Sequence, residues 1–261
     1  MQDTFQTSKE SQNGLLKISN YEKMHLVGNS VAYQMDCMEG LKQTPDKFYE
    51  LCICDPPYGI GFAGFDKHYG GGKALAKTTL HKPFFGGDKE AAPVEYFRQL
   101  FRVSKNQIIW GANHFISRMP FDSPAWIVWD KDNGDNPFAD CELAWTSFKS
   151  AARMFQFKWQ GMLQADMKNK ELRIHPTQKP VALYKWLLTN YAKPGDRILD
   201  THLGSGSHRI AAYDMGFDFW AWENDPDYFA AMQKRFEAHI AKPVLFAPEE
   251  MYNFEQTKLF D

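Results

Sequence analysis

Residues 197–223 constrain the fold of this 261-residue chain more than any other stretch. Arg197-Ile198-Leu199-Asp200 is a short apolar strand, Gly204-Ser205-Gly206-Ser207 opens a helix running to about Met215, and Gly216 stops it. A second strand over 217–222 ends at Glu223, and Asp225 caps a final amphipathic helix reaching about Ile240. Strand, glycine loop, helix, strand and acidic residue in that order form a nucleotide-binding βαβ unit, whose ligand sits outside the carboxyl ends of a parallel sheet. Gly204 and Gly206 let the backbone approach such a ligand, with packing as the alternative for one of them. Glu223 follows the loop by about twenty positions, where the dinucleotide fingerprint places its acceptor for ribose hydroxyls. Arg209 stands where G-x-G-x-x-G has its third glycine, and no G-x-x-x-x-G-K-S/T occurs, so pyrophosphate is disfavoured. An adenosine ligand without phosphates, such as S-adenosylmethionine, fits better.

The second informative stretch is Asp55-Pro56-Pro57-Tyr58, which follows the largely apolar strand Tyr49-Glu50-Leu51-Cys52-Ile53-Cys54. Two prolines neither extend a strand nor start a helix easily, and each pushes the preceding residue to extended geometry. The result is a stiff turn at a strand's carboxyl end, with a carbonyl on each side of Pro57. A planar amino group on an aromatic ring fits it: Asp55 and a proline carbonyl accept the two hydrogens while Tyr58 stacks on the ring.

Between these units the pattern is mixed. Strand-like runs fall at 25–34, 107–110, 125–130, 142–146 and 153–159, with helices at 38–43, 93–104 and 180–191. Pro93 suits a helical first turn. The first twenty or so residues are polar and aperiodic, and residues 60–90 are rich in glycine and lysine, a long irregular stretch of the kind that is functional or disordered. Net charge is only −2, yet Lys67, Lys73, Lys77 and Lys82 cluster in that stretch, and Lys158 and Arg173 belong to a second basic segment threaded with Phe148, Phe155, Phe157 and Trp159. Solvated faces account for both segments as well as phosphate contacts do. Four cysteines without C-x-x-C spacing suggest neither a zinc site nor a disulfide framework, and Cys52 and Cys54 read as core. No metal is expected. The lack of a signal pattern and of an apolar run of about 18 residues predicts a soluble, cytoplasmic protein.

Taken together, these motifs resemble the β-class DNA amino-methyltransferases, the adenine-N6 and cytosine-N4 enzymes of restriction-modification and phage systems. Their tetrapeptide precedes the cofactor motif, as Asp55-Tyr58 precedes Asp200-Ser207 here. The run His175-Pro176-Thr177-Gln178-Lys179-Pro180 also resembles one that the class places just before its cofactor strand. His202-Leu203 departs from the usual phenylalanine-containing pair.

The resemblance implies a circularly permuted Rossmann-like α/β fold, a mainly parallel central sheet with helices on both faces. It implies that S-adenosylmethionine is held by Asp200, Gly204, Ser205, Gly206 and Glu223, with His175, Thr177, Gln178 and Lys179 toward its methionine end. Asp36 matches by position an acidic contact on the adenine side, with a helix N-cap as the equal alternative. Asp55, Pro56, Pro57 and Tyr58 would hold a flipped-out base. Aspartate at the first position is commoner among the adenine enzymes. The alternatives are a cytosine-N4 enzyme and, in another class, an inactive DNA-binding module of the same fold. His114, His202 and His208 read as packing or solvent-facing rather than catalytic.

The expected organisation is a loose segment over 1–22, a methyltransferase domain over 23–242 and a tail over 243–261. Within the domain, 60–90 and 138–173 are the expected contacts to DNA, and a homodimer is a further expectation from the family. The tail, Gln256-Thr257-Lys258-Leu259-Phe260, resembles the Q-x-x-L-F peptide with which bacterial replication proteins dock into the sliding clamp; folding back on its own domain is the alternative.

Overall fold

The computed structural model describes residues 16, 18–61, 88–134, 139–160 and 163–242. Lys67, Lys73, Lys77, Lys82 and the clamp-like run at 256–260 lie outside the described residues.

The chain opens with an antiparallel hairpin, β1 (Lys23–Val27) and β2 (Ser30–Gln34). Helix α1 (Cys37–Gln43), strand β3 (Tyr49–Cys54), helix α2 (Val94–Val103) and strand β4 (Ser104–Trp110) follow. Next come β5 (Ile127–Asp130), β6 (Cys141–Thr146), β7 (Arg153–Gln156), β8 (Trp159–Gln160) and β9 (Leu163–Gln164). The last third holds α3 (Val181–Tyr191), β10 (Arg197–Asp200), α4 (Ser207–Asp214), β11 (Asp218–Glu223) and α5 (Pro226–Ile240).

One nine-stranded sheet runs β1-β2-β11-β10-β3-β4-β6-β5-β7. Strands β2, β11, β10, β3 and β4 are mutually parallel, so their carboxyl ends share one edge. Strand β6 is antiparallel to both β4 and β5, and β7 closes the edge parallel to β5. The two C-terminal strands sit between β2 and β3, so both ends of the chain complete the sheet, as the permuted order requires. From β3 the chain moves to β4, and from β10 it moves the other way to β11. The crevice between β10 and β3 is therefore a topological switch point, where open α/β sheets bind their ligands.

Burial on both faces explains the near-continuous apolar strands. In β11, Phe219 and Ala221 pack toward α3, α4 and α5, while Trp220 and Trp222 pack toward α1 and α2. Leu187, Ile210, Phe229 and Phe236 fill the first face, and Leu41, Tyr96, Phe97 and Leu100 the second.

Three boundaries differ from expectation. Helix α2 passes into β4 with no loop: Pro93 is its N-cap, Ser104 its C-cap, and the Ser104 hydroxyl donates to Leu100 O at 2.6 Å. The strand expected over 153–159 breaks after Gln156. Trp159 belongs to the separate β8-β9 pair, with its buried indole donating to Gln178 O at 2.9 Å. The loose start also yields earlier than expected, because Ile18 is buried and Ser19 N donates to the Gln43 side chain at 2.8 Å. Among the described residues, no helix is long and apolar enough to cross a membrane.

Candidate active site

Four of the strand ends at the shared edge deliver the motifs. Asp36 follows β2, Glu223 ends β11, the Asp200–Ser207 loop follows β10, and Asp55-Pro56-Pro57-Tyr58 follows β3. The loop and the tetrapeptide flank the switch point.

The tetrapeptide is clamped from outside. The Asp88 carboxylate accepts from the N–H groups of Tyr58 (2.6 Å), Gly59 (2.8 Å) and Ile60 (3.2 Å). Ala92 N donates to Pro57 O at 3.2 Å, so the Pro56 carbonyl is the better candidate for an incoming amino group. Tyr58 lies against Gly111, where φ is +69° and a Cβ would fall 2.0 Å from the ring; only glycine suits both demands. His114 stacks on Tyr58 with centroids 5.2 Å apart and planes 16° apart. Tyr58, His114, Arg118, Pro93 and Val94 line an adjoining cleft of about 490 Å³.

Both Asp55 oxygens have partners. Oδ1 accepts from the Tyr58 hydroxyl, and Oδ2 lies 2.5 Å from Lys179 Nζ. The same ammonium is 3.0 Å from Glu142 Oε2, and Glu142 Oε1 is 2.6 Å from Lys131 Nζ. Four charges thus alternate in sign, with Lys179 over the Trp110 ring at 5.4 Å and Lys131 over Trp129 at 5.3 Å. Burial raises the Asp55 carboxyl above its ordinary range, the Lys179 charge opposing and the Glu142 charge adding. For Glu142 burial also works upward, yet Lys179 and Lys131 hold it down at about 2. Burial disfavours the Lys179 charge, but the two carboxylates outweigh it and raise its pKa.

On the cofactor side, Glu223 organises the glycine loop. Its Oε2 accepts from Gly204 N at 2.8 Å and its Oε1 from Asp225 N at 2.8 Å. Burial, helped by the charges of Asp225 and Asp200, raises its pKa to about 7. The two glycines differ. Gly206 has φ +76°, and a Cβ there would lie 2.5 Å from Met232 Cγ, so its bareness serves packing against α5. At Gly204, with φ +51°, a Cβ would meet the His175 ring at an ordinary 3.7 Å, and this is the glycine that can face a ligand. The His175 ring meets Tyr228 edge-on at 4.3 Å, and its Nδ1 is 3.1 Å from Thr177 Oγ1. Arg209 points away from the loop: it is buried and donates to Ser30 Oγ and His25 O.

Other expected residues go elsewhere. Asp200 is buried, accepting from His202 N at 2.9 Å and meeting His208 Nδ1 at 3.1 Å, so it shapes the loop from beneath. Buried Gln178 braces its own turn by accepting from Ile174 N, and buried Ser205 lies 3.2 Å from Ser207 through their hydroxyls. Asp36 is exposed and caps α1 through Met38 N at 2.7 Å, which realises the capping alternative. Lys179 turns to Asp55 rather than to the loop. Arg173 is half-buried and donates to Pro176 O at 2.7 Å, with its pKa lowered by burial. Lys158 is partly exposed and pairs with Asp132 at 3.1 Å. His202 borders the loop, its pKa lowered by burial to about 4, with Nδ1 2.9 Å from Thr201 Oγ1. His208 is buried and stacked on Tyr184 at 4.7 Å, a packing histidine. Sequence reasoning missed Asp88 and Glu142, lone acids in no motif. Among the described residues, no group of three His, Cys, Asp or Glu side chains could hold a metal ion.

Fold and site together define the class: a Rossmann-like methyltransferase fold with the tetrapeptide before the glycine loop. Residues 128–234 match the family described as DNA methylase. It is 23% identical over 248 aligned positions to the type II methyltransferase M.HinfI of Haemophilus influenzae, an alignment covering 77% of this chain and 66% of that protein. The chain thus spans just under two-thirds of that relative's length. Among solved structures, the PvuII DNA methyltransferase (cytosine-N4-specific) superposes with a TM-score of 0.56 at 14% identity, covering 91% of this chain and 97% of that one. The M1.HpyAVI–SAM complex gives 0.50 at 18% identity, covering 78% and 98%.

Proposed function

We propose that the chain transfers a methyl group from S-adenosylmethionine to the N6 amino group of an adenine flipped out of DNA. The observation that carries this is the placement of Asp55 and Tyr58 on one side of the switch point and of Gly204 and Glu223 on the other. The residues suit this donor. Glu223 offers a buried carboxylate for a ribose diol, Gly204 leaves the loop bare, and a buried arginine stands where a dinucleotide fingerprint needs its third glycine. His175 and Thr177, beside Gly204, are assigned to the methionine end. S-adenosylmethionine, when bound, supplies an electrophilic methyl group.

The protein's part is to hold the acceptor. Rotating a base out of the duplex costs a few kcal/mol. Tyr58 and His114 offer an aromatic surface to repay some of it, the base taking a face of the Tyr58 ring or the place of His114. The amino group displaces the Tyr58 hydroxyl from Asp55 Oδ1 and gives its second hydrogen to Pro56 O. Accepting both hydrogens localises the nitrogen lone pair and aims it at the methyl group, so orientation and fixed dipoles do most of the catalysis. After transfer Asp55 is positioned to take the proton that the amino nitrogen sheds. Lys158 and the lysines at 67, 73, 77 and 82 are assigned to the phosphate backbone.

Aspartate at position 55 favours adenine. Cytosine N4 is the second reading, supported by the specificity of the PvuII enzyme whose fold this chain shares. Incubating mixed-sequence DNA with tritiated S-adenosylmethionine separates them: label in N6-methyladenine is expected, and label in N4-methylcytosine moves the assignment. Clamp docking through Gln256–Phe260 and homodimerisation complete the proposal; they are checked by titrating the tail peptide with a bacterial clamp and by sedimentation.

A further inference from the structure

Glu142 belongs to no motif, yet it stands one ammonium away from Asp55. It lies at the start of β6, opposite Trp129 of β5. Because β6 runs antiparallel to β4, this start falls beside the carboxyl end of β4 and next to the tetrapeptide. Lys179, just ahead of α3, reaches the same point with only 3% of its side chain exposed. Its Nζ is 2.5 Å from Asp55 and 3.0 Å from Glu142, with the Trp110 ring beneath. Leaving an ammonium buried without its carboxylates costs several kcal/mol, so it is held where both can reach it.

We infer that Lys179 and Glu142 are positioning residues for Asp55: Glu142 anchors the ammonium, the ammonium fixes Oδ2, and Oδ1 is left facing the target amino group. This rests on the proposed methyl transfer and gives Lys179 a role on the acceptor side rather than at the cofactor. Asp55 must receive the amino hydrogens without turning, since misplacement by about 1 Å can cost on the order of 100-fold in rate. The charged and titratable groups around it are Lys179, Glu142, Tyr58 and, from α3, Tyr184, with Lys131 and Arg173 acting on Glu142. Removing Lys179 leaves two carboxylates facing each other, whereas removing the Glu142 charge gives the ammonium wholly to Asp55. The two changes therefore move Asp55 in opposite directions.

The test uses the full chain with Lys179→Met, Lys179→Arg and Glu142→Gln, reading kcat against pH at saturating DNA and cofactor, and S-adenosylhomocysteine affinity by calorimetry. Lys179→Met is expected to lower kcat by about 100-fold, to move the acid limb to higher pH, and to leave affinity within about twofold; Lys179→Arg restores part of the rate. Glu142→Gln is expected to move the acid limb to lower pH. Acid limbs that stay put, or a loss in Lys179→Met confined to cofactor affinity, would overturn the inference. If the wild-type chain transfers no methyl group, the reaction itself fails. The pairing is then decided by carbon-13 titration of the Asp55 carboxyl, assigned with Asp55→Asn. Opposite displacements in Lys179→Met and Glu142→Gln support it, and an unmoved Asp55 in Glu142→Gln, a near-isosteric change, rejects it.

Discussion

Cofactor affinity should follow the protonation of Glu223 through neutral pH. The side chain is buried among Asp200, Asp225 and the glycine loop, and its pKa rises from 4.5 to about 7. At about 1.4 kcal/mol per tenfold, that rise corresponds to at most about 3.5 kcal/mol. The sign follows from proton counting. Between pH 4.5 and 7 the folded state holds a proton that the unfolded state has lost, so this group's contribution to stability falls as pH rises and stays low above pH 7. A ribose diol donates to the carboxylate, so binding draws on the ionised form, roughly a tenth of the molecules at pH 6 and nine-tenths at pH 8. The dissociation constant for S-adenosylhomocysteine should therefore be about tenfold weaker at pH 6 than at pH 8. Isothermal titration in buffers of different ionisation enthalpy should also show proton release at pH 6. Glu223→Gln should weaken binding at pH 8 and flatten the profile. A wild-type dissociation constant that stays level from pH 6 to pH 8, with no proton release, would refute the role given to Glu223.

Substituting the two loop glycines should separate packing from ligand approach. Gly206→Ala combines left-handed strain of about 1–2 kcal/mol with overpacking of about 1–3 kcal/mol against Met232. Gly204→Ala carries the strain alone, so urea unfolding should rank Gly206→Ala as clearly the more damaging and calorimetry should show Gly204→Ala losing more cofactor affinity per unit of stability lost. Equal unfolding costs would contradict the Met232 contact. Asp225 accepts from Asp227 N at 2.8 Å and Tyr228 N at 3.2 Å at the start of α5, so Asp225→Ala should cost about 1 kcal/mol, checked by the same unfolding curves.

The βαβ unit was readable because each of its signals is local. Glycines mark the loop, Gly216 ends α4, Asp225 starts α5, and the apolar runs at 197–200 and 218–223 fit strands buried on both faces. The placement of Asp55 beyond a buried strand followed from Tyr49–Cys54 and two prolines in the same way. What stayed hidden depends on side-chain direction and on antiparallel pairing. Lys179 sits in a run beside the cofactor motif, but its long stem reaches across to Asp55, and nothing in the order of residues says so. Glu142 reaches the site only because β6 runs against β4. Asp88 clamps three N–H groups from the end of a glycine-rich stretch that looks featureless. The break after Gln156 escaped notice because Phe157 and Trp159 continue an apolar pattern whose indole is taken up by Gln178 O instead.

The central claim, that Asp55 holds an adenine amino group for methyl transfer, is tested most directly by counting modified nucleosides. DNA incubated with S-adenosylmethionine and either the wild-type chain or Asp55→Ala is digested and analysed by mass spectrometry, with S-adenosylhomocysteine binding measured on both proteins. N6-methyladenine from the wild type, none from Asp55→Ala, and matching affinities are predicted. Undiminished N6-methyladenine from Asp55→Ala, or no methylated base from a wild-type protein that binds the cofactor, would contradict the account.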